Sequence, residues 1–288
     1  MRNKGSQQSK RFLRLFFASN EAKLGLAIII VFLATSIVIA IAGKSVLPYN
    51  PIEQNVGPIL ASPSPAHLFG TDNLGRDVYS RIVFATPNDL LVSFIVIASS
   101  FAVGLVLGGI AGFWGGILDE ILMRSTDVIF AIPALVLAMS IAVILGPGLV
   151  HMMYALMIIW WPPYARLARG EALRVSEQNF IEAAKTSGIR TFRILRKHLI
   201  PNILSPMLAY ATLDIGTVVV VYAGLSYLGL SVQPPTPDWG AMVNAYQDYL
   251  ISAPWLPLFP AIIIAAVVIG FSLLGNALRD AIESQSLS

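Results

Sequence analysis

Residues 24–43 read LGLAIIIVFLATSIVIAIAG, a run of 20 residues without a charged side chain. A helix of about 20 apolar residues is long enough to cross the hydrocarbon core of a bilayer. The basic segment before this run makes it similar to a secretory signal peptide. However, the run is longer than the apolar part of a typical signal peptide, and residues 44–46 (KSV) lack the pattern of a cleavage site. We therefore predict a retained first transmembrane helix.

The composition of the whole chain also indicates a membrane protein. Of its 288 residues, 56% are hydrophobic and 12% are charged, and the mean hydropathy is +0.73. Soluble domains carry about 25% charged residues, so this chain lacks the polar surface of a soluble enzyme, a secreted disulfide scaffold or a disordered segment. It also contains no cysteine, which excludes thiol catalysis and cysteine-ligated zinc.

Further apolar runs predict an all-α integral membrane protein of six transmembrane helices, because helices satisfy their own backbone hydrogen bonds in lipid. The predicted spans are residues 24–43, 90–115, 116–145, 149–165, 202–230 and 258–278. The predicted connections are residues 44–89, 166–201 and 231–257, with tails of residues 1–23 and 279–288. Gly146-Pro147-Gly148 separates the third span from the fourth. In the second span, Gly104-x-x-x-Gly108 and Gly108-x-x-x-Gly112 favour close contact with another helix.

Lysine and arginine are distributed unequally between the two sides of the predicted bundle. With six spans, 16 of the 19 Lys and Arg residues fall on the side that holds both termini and the 166–201 connection. The positive-inside rule therefore predicts a multi-pass protein of the cell membrane with both termini in the cytoplasm. The same asymmetry accounts for the net charge of +3, because basic loops face anionic lipid. We expect the lipid bilayer as a partner, and no nucleic acid.

The 166–201 connection reads RLARGEALRVSEQNFIEAAKTSGIRTFRILRKHLIP and is highly charged between two apolar spans. Apolar residues at helical spacing predict a short amphipathic helix near residues 177–187. Gly188 can adopt the left-handed conformation that ends such a helix. One interpretation of this segment is a basic hairpin that lies on the membrane surface. The other is a docking element, in which small side chains let a partner protein approach closely and Glu182 fixes its register.

Part of this connection resembles the EAA loop of permeases in ATP-binding-cassette importers. The resemblance rests on the spacing of Glu182-Ala183-Ala184, Gly188 and the ending His198-Leu199-Ile200-Pro201. Three further stretches resemble the dipeptide and oligopeptide permease family: residues 67–77 (HLFGTDNLGRD), 226–240 (SYLGLSVQPPTPDWG) and 274–280 (LGNALRD). The resemblance covers nearly the whole chain and indicates the second of the two permease subunits. Pro87 departs from the family pattern and could shift the beginning of the second span.

This resemblance implies a type I importer permease bundle with a core of residues 90–280. The partners that it implies are a second permease subunit, two cytoplasmic ATPases and an extracytoplasmic substrate-binding protein. In that family the EAA helix docks on the ATPase, which assigns Glu182, Ala183, Ala184 and Gly188 to the docking contact. The chain has no G-x-x-x-x-G-K-[ST] phosphate loop. We therefore expect no catalysis and no cofactor in this chain, with ATP and magnesium bound by the partner ATPases.

The resembled family transports mostly di- and oligopeptides, so a peptide is the expected substrate. Similar permeases serve oligosaccharides or metal chelates, and both alternatives stay open because selectivity rests largely on the binding protein. A more distant alternative is a secondary transporter, which would need coupling-ion sites near the middle of the bilayer. Asp214 is the only candidate for such an ion ligand.

Two groups of ionisable residues complete the candidate sites. Asp214 lies deep in a predicted span, where such residues usually face the bundle or a water-filled cavity. It is expected either to bond to a neighbouring helix or to line the translocation path and meet a cationic substrate. Asp72, Arg76 and Asp77 supply too few oxygen ligands for a calcium loop. They predict a solvated turn with local ion pairs, which could contact the binding protein.

Overall fold

The computed structural model describes residues 14–286, except the side chains of residue 185 and of the last four residues in this range. The predicted tails, residues 1–23 and 279–288, therefore lie partly outside the described residues. Within the described range, every secondary-structure element larger than a single bridged pair of residues is a helix. The described helices of eight residues or more are α1 (Asn20–Ala42), α2 (Val78–Trp114), α3 (Gly116–Phe130), α4 (Ala134–Leu145), α5 (Leu149–Ser176), α6 (Asn179–Thr186), α7 (Thr191–Tyr227), α8 (Trp239–Tyr246) and α9 (Trp255–Ser286).

Helix α1 begins and ends at residues whose chemistry favours helix termini. The Ser19 side chain accepts a hydrogen bond from the Ala22 backbone N–H at 3.4 Å and so caps the helix. At the other end, Gly43 has a φ of +61°, which glycine adopts without steric cost. Many apolar side chains of α1 are exposed, as expected for a helix that faces lipid. The opposite face packs on α9, where a methyl group at Gly25 would lie 2.8 Å from the Gly270 carbonyl oxygen.

Helix α2 begins at Val78, whereas the second span was predicted to begin at residue 90. The Asp77 side chain caps the helix by accepting a backbone hydrogen bond at 2.8 Å from its first turn. The predicted start is wrong for the helix because Arg81 and Asp89 read as loop residues in the sequence. Both side chains are buried, Arg81 against the segment before α2 and Asp89 against the beginning of α8, so the charges do not end the helix.

The predicted third span, residues 116–145, is divided into two helices. α3 and α4 meet at an angle of 85° across a break of three residues. Pro133 explains the break, because proline lacks the backbone N–H that a helix needs and disfavours the helical conformation of the residue before it. The prediction of one continuous helix is therefore wrong, and the two helices form either a broken span or a re-entrant loop.

Helix α5 extends to Ser176, beyond residue 165, where the fourth span was predicted to end. Ala168, Ala172 and Val175 are buried at helical spacing, so the charged stretch of α5 still packs against the bundle. The stretch that was predicted to begin the cytoplasmic connection is therefore the last part of a long helix.

Four helices in the described part of the chain are long and apolar enough to cross a membrane: α1, α2, α7 and α9. The bent pair α3–α4 adds a fifth if it crosses as one unit. Helix α5 is less apolar, because it contains four charged residues, Arg166, Arg169, Glu171 and Arg174, besides His151 and two prolines. Length and composition therefore support four or five of the six predicted spans.

The most extensive helix contact joins α2 to α5. A methyl group at Gly104 would overlap the side chain of Tyr164, and one at Gly108 would overlap the carbonyl oxygen of Ala165. The close approach predicted from the glycine spacing is thus confirmed. Helices α7 and α9 complete the core, which encloses large side chains such as Tyr222.

Candidate functional site

The EAA segment forms helix α6, which lies between the two long helices α5 and α7. The hydroxyl of Thr186 donates to the carbonyl oxygens of Ala183 and Glu182, at 3.0 and 3.1 Å. It therefore helps to satisfy the backbone hydrogen-bond acceptors at the end of the helix. The chain then turns at Gly188, whose φ is +71°. Glycine is favoured at this position because a side chain would strain the backbone.

Helix α6 has one buried and one exposed side. Ile181 is fully buried and Ala184 is 7% exposed, so these two side chains fix the helix to the rest of the protein. Glu182, Ala183 and Gly188 are exposed. The residues of the EAA signature therefore divide: Ala184 contributes to packing, and the other three are accessible to a partner.

The beginning of α7, which follows α6, has the same two-sided character. Ile194 and Leu199 are buried. The basic residues Arg190, Arg193, Arg196 and Lys197 are exposed on the same stretch. Together with α6 they give this end of the protein an exposed, positively charged surface.

Asp214 lies in the middle of α7 and is hydrogen-bonded to α5. Its Oδ2 atom accepts from the Trp160 indole Nε1–H at 2.7 Å and from the Tyr164 hydroxyl at 3.0 Å. The residue is only 8% exposed. Both donors belong to a neighbouring helix, so the structure agrees with the expectation of a bundle-facing aspartate.

The same aspartate also lines an open hollow of about 340 Å³ between three parts of the bundle. Phe130 and Pro133 contribute from the break between α3 and α4, Trp160 from α5, and Tyr210 and Thr217 from α7. The two expectations for Asp214 are therefore compatible in this structure, since one side chain both bonds to a helix and borders a cavity.

Ion pairs join α3 to α5 next to this hollow, and sequence reasoning missed them. Arg169 contacts both carboxylate oxygens of Asp119, at 2.5 and 2.6 Å, and Arg166 contacts Asp127 at 2.5 Å. The Arg166 guanidinium also lies 4.2 Å from the centre of the Phe130 ring, which borders the hollow. The pairs lie 39 and 50 residues apart in sequence, so no local pattern indicates them.

Asp72 is the centre of a buried network in the segment between α1 and α2. It accepts from the backbone N–H groups of Leu74 and Arg76, both at 2.9 Å, and pairs with the Arg76 guanidinium at 2.7 Å. The Tyr246 hydroxyl donates to the same carboxylate at 3.0 Å. Burial raises the pKa of the Tyr246 phenol above its usual value of about 10, so the phenol stays protonated and can donate.

The predicted solvated turn is therefore wrong in one respect, because its side chains are enclosed by protein. Asp72 is fully buried, Asp77 is 1% exposed and Arg76 is 9% exposed. In addition to capping α2, the Asp77 carboxylate is hydrogen-bonded to the His67 ring, with 2.9 Å between Oδ1 and Nδ1. These side chains hold the segment between α1 and α2 together, which leaves them little surface for contact with a binding protein.

A second buried network lies at the beginning of α8 and was not predicted. Asp238 accepts from the hydroxyls of Tyr222, at 2.6 Å, Ser231, at 3.1 Å, and Ser226. The next residue, Trp239, donates its backbone N–H to Asp89 at 3.4 Å. Both aspartates thus fix the segment between α7 and α8 to these two helices and to α2.

The described residues offer no recognisable site for a metal: no group of three or more His, Asp or Glu side chains within residues 14–286 has the required arrangement. The candidate functional features of this part of the chain are the exposed surface of α6 and the Asp214 hollow.

Comparison with known proteins agrees with these features. Residues 104–286 match the family described as "Binding-protein-dependent transport system inner membrane component". The chain is 39% identical over 264 residues to the dipeptide transport system permease protein DppC of Alkalihalophilus pseudofirmus, covering 91% of this chain and 87% of the relative. It is 37% identical over 275 residues to the glutathione transport system permease protein GsiD of Escherichia coli, covering 95% and 88%.

Among solved structures, the inward-facing MetNI methionine ABC transporter has a similar fold. The TM-score is 0.56 at 21% identity, with 70% of this chain and 96% of the MetNI chain covered. This likeness concerns the fold alone, and it agrees with the expected type I importer bundle. The family match and the identity to permeases across most of the chain decide the assignment: the chain belongs to the inner-membrane components of binding-protein-dependent transport systems, among the dipeptide and oligopeptide permeases of ATP-binding-cassette importers.

Proposed function

We propose that this chain is a permease subunit of an ATP-driven importer and forms half of a translocation path for di- and oligopeptides. The observation that carries the proposal is the 39% identity to a dipeptide permease over 91% of the chain. A second relative at 39% identity is the probable D,D-dipeptide permease DdpC of Escherichia coli, of which 76% is covered. Dipeptides, D,D-dipeptides and glutathione are all small peptides, which favours a peptide over an oligosaccharide or a metal chelate.

The partners in this proposal are a second permease subunit, two cytoplasmic ATPases and an extracytoplasmic substrate-binding protein. The family description names the dependence on a binding protein. ATP and magnesium bind to the ATPases, so this chain contributes movement and a path but no chemistry. The hollow beside Asp214 would be completed by the second permease subunit.

Helix α6 is the proposed contact with the ATPase. Glu182, Ala183 and Gly188 are exposed and supply the docking surface, whereas Ile181 and Ala184 hold the helix from behind. A small side chain at position 183 lets the partner surface approach closely, and the Glu182 carboxylate offers one charge to fix the register. Because α6 connects α5 to α7, a displacement of this helix would reach both walls of the Asp214 hollow.

The proposed arrangement in the membrane has six crossings: α1, α2, the pair α3–α4, α5, α7 and α9. Helix α5 counts as a crossing because its 28 residues span about 42 Å and because Trp160 and Tyr164 are buried in the bundle. The excess of Lys and Arg on the side of α6 supports a cytoplasmic location for that side and for both termini.

Purification of the assembled complex tests the docking contact. The chain is co-expressed with the second permease and the ATPases, and the ATPase that co-purifies is measured for Glu182→Ala and Gly188→Pro. Glu177→Ala is the matched control, because Glu177 is an exposed glutamate just outside α6. We expect both α6 variants to lose most of the ATPase, and the control to retain it.

Transport by the same complex in proteoliposomes tests the substrate. Addition of the binding protein and labelled dialanine should give ATP-dependent uptake, whereas maltotriose and a nickel chelate should give none. Uptake of only the sugar or only the chelate would replace the peptide proposal. A chain that purifies without any ATPase, and is unaffected by the α6 substitutions, would instead support a surface hairpin and a secondary transporter.

A further inference from the structure

We propose that Asp214 binds the protonated amino group of the transported peptide, so that the hollow beside it is a subsite for an ammonium group. This inference rests on the proposed function, because it takes the translocated molecule to be a peptide with a free amino terminus. It adds a chemical criterion, namely that the path itself selects a cationic group independently of the binding protein.

The first argument is the missing counter-charge. Asp214 takes part in none of the ion pairs among the described residues, and its side-chain hydrogen-bond partners, Trp160, Tyr164 and Thr217, are uncharged. It is also the only charged side chain among the residues that line the hollow. A carboxylate in such surroundings is costly unless a cation compensates it. A cationic ligand in the hollow would supply that compensation.

The second argument is the unused hydrogen-bonding capacity of the carboxylate. Trp160 and Tyr164 both donate to Oδ2, and Thr217 adds a third side-chain hydrogen bond, whereas an ionised carboxylate can accept about four hydrogen bonds over its two oxygens. The side chain borders the hollow and is not sealed in the protein interior. An ammonium group carries three donors and no acceptor, so it complements the capacity that remains.

The third argument is the rest of the lining. Trp160 and Tyr210 border the same hollow, and aromatic rings attract a cation within about 6 Å of their centres. Apolar residues such as Ile129 and Pro133 cover the remaining wall. The volume of about 340 Å³ suits a small molecule. A peptide would enter with its amino end towards Asp214, since its own carboxylate is repelled there.

The experiment uses the full complex in proteoliposomes with two probes, dialanine and N-propionylalanine, which lacks only the amino group. Asp214→Asn removes the charge but keeps an oxygen that accepts from Trp160 and Tyr164, so the fold is preserved. Asp214→Glu keeps the charge. Thr212→Ala is the control, because Thr212 lies on the same helix outside the hollow and bonds to the Leu208 carbonyl oxygen. The binding protein is the same in every sample, so its own preference cancels between variants.

We expect Asp214→Asn to lower the preference for dialanine over the propionyl analogue about tenfold. Asp214→Glu should restore most of this preference, and Thr212→Ala should match the wild type. A merely structural role would lower uptake of both probes equally, which would overturn the inference, as would an unchanged preference in Asp214→Asn. If the analogue is never imported, the uptake of dialanine alone is compared. Loss of uptake in Asp214→Asn with recovery in Asp214→Glu supports the inference, and unchanged uptake in Asp214→Asn overturns it. Failure of the wild type to import either probe would count against the peptide function itself.

Discussion

Ala183 and Ala184 are neighbours of identical chemistry, but their surroundings in α6 differ. Ala183 is exposed, whereas Ala184 is 7% exposed. We expect Ala183→Leu to change the free energy of unfolding by no more than about 0.5 kcal/mol. It should lower the co-purifying ATPase about tenfold, because the larger side chain holds the ATPase away. Ala184→Leu should destabilise the permease by about 1–3 kcal/mol, because it overfills a packed site.

Thermal unfolding of the purified permease pair and the ATPase assay of the complex separate these two effects. Equal destabilisation by both substitutions would show that Ala183 is packed rather than accessible. Full ATPase retention in Ala183→Leu would remove this residue from the docking contact and leave Glu182 and Gly188 to account for it.

Asp72 is the residue on which the segment between α1 and α2 depends most. Asp72→Asn keeps the shape but removes the charge that compensates the buried Arg76 guanidinium, and the loss of one partner of a buried ion pair costs about 3–5 kcal/mol. We expect a lower unfolding temperature and faster proteolysis within residues 47–77. Glu53→Gln, an exposed change in the same segment, is the control and should match the wild type.

The partners of single residues were the hardest feature to predict from sequence. Asp214 could be recognised as an intramembrane charge, but its donors lie 50 and 54 residues away on α5. Asp72 could be recognised as part of a turn, but the Tyr246 hydroxyl that reaches it lies 174 residues away. Contacts of this length depend on the packing of whole helices and have no local signal. The EAA segment was recognisable because its signature is continuous in the sequence.

At the scale of helices, the contact between α2 and α5 gives the sharpest prediction. Gly108→Ala should destabilise the bundle by about 1–3 kcal/mol, because its methyl group would overlap the Ala165 carbonyl oxygen and push the helices apart. Gly109→Ala is the matched control on the same helix, since a methyl group there meets nothing within 4 Å. Unfolding temperatures of the two variants measure the difference.

Equal stability of the two variants would mean that α2 and α5 are further apart in the membrane than in this structure. Greater stability of Gly109→Ala than of the wild type fits the expectation, because alanine is a better helix former than glycine by about 1 kcal/mol.

The helix ends differ in how well the sequence indicates them. Gly146-Pro147-Gly148 separates α4 from α5 as expected, because glycine and proline both disfavour the continuation of a helix. The start of α2 and the end of α5 were misplaced, because charged residues there resemble loop residues. In the structure Arg81 and Asp89 are buried by the segment before α2 and the beginning of α8, and Arg166 and Arg169 pair with α3. Tertiary contacts therefore decide these ends, whereas Pro133 was an available but unused signal for the break before α4.

At the scale of the whole molecule, the class and the family of the protein follow from features that do not depend on tertiary contacts. Composition identifies a membrane protein because it sums over all residues, and the family match covers residues 104–286. The number of crossings is different, because it depends on two elements that length and composition leave open: the bent pair α3–α4 and the helix α5. Whether each of these two elements crosses the membrane determines the side on which every later connection lies.

Single cysteines can determine this arrangement, because the natural chain contains none and each introduced thiol reports one position. Ser62→Cys lies before α2, Pro147→Cys between α4 and α5, and Ser187→Cys after α6, and all three positions are exposed. With six crossings and a cytoplasmic amino terminus, we expect a membrane-impermeant maleimide to label positions 62 and 147 in intact spheroplasts. Position 187 should react only after permeabilisation.

The pattern of labelling separates the alternatives, because each crossing between two sites reverses their side. If α5 does not cross, positions 147 and 187 react from the same side. If the pair α3–α4 is a re-entrant loop, α2 alone separates position 62 from 147, and these two react from opposite sides. If the whole bundle is inverted, position 187 reacts in intact spheroplasts and the other two do not. That last result would also place α6 outside the cytoplasm, where the ATPase could not bind it. The proposed coupling through α6 therefore requires the proposed orientation.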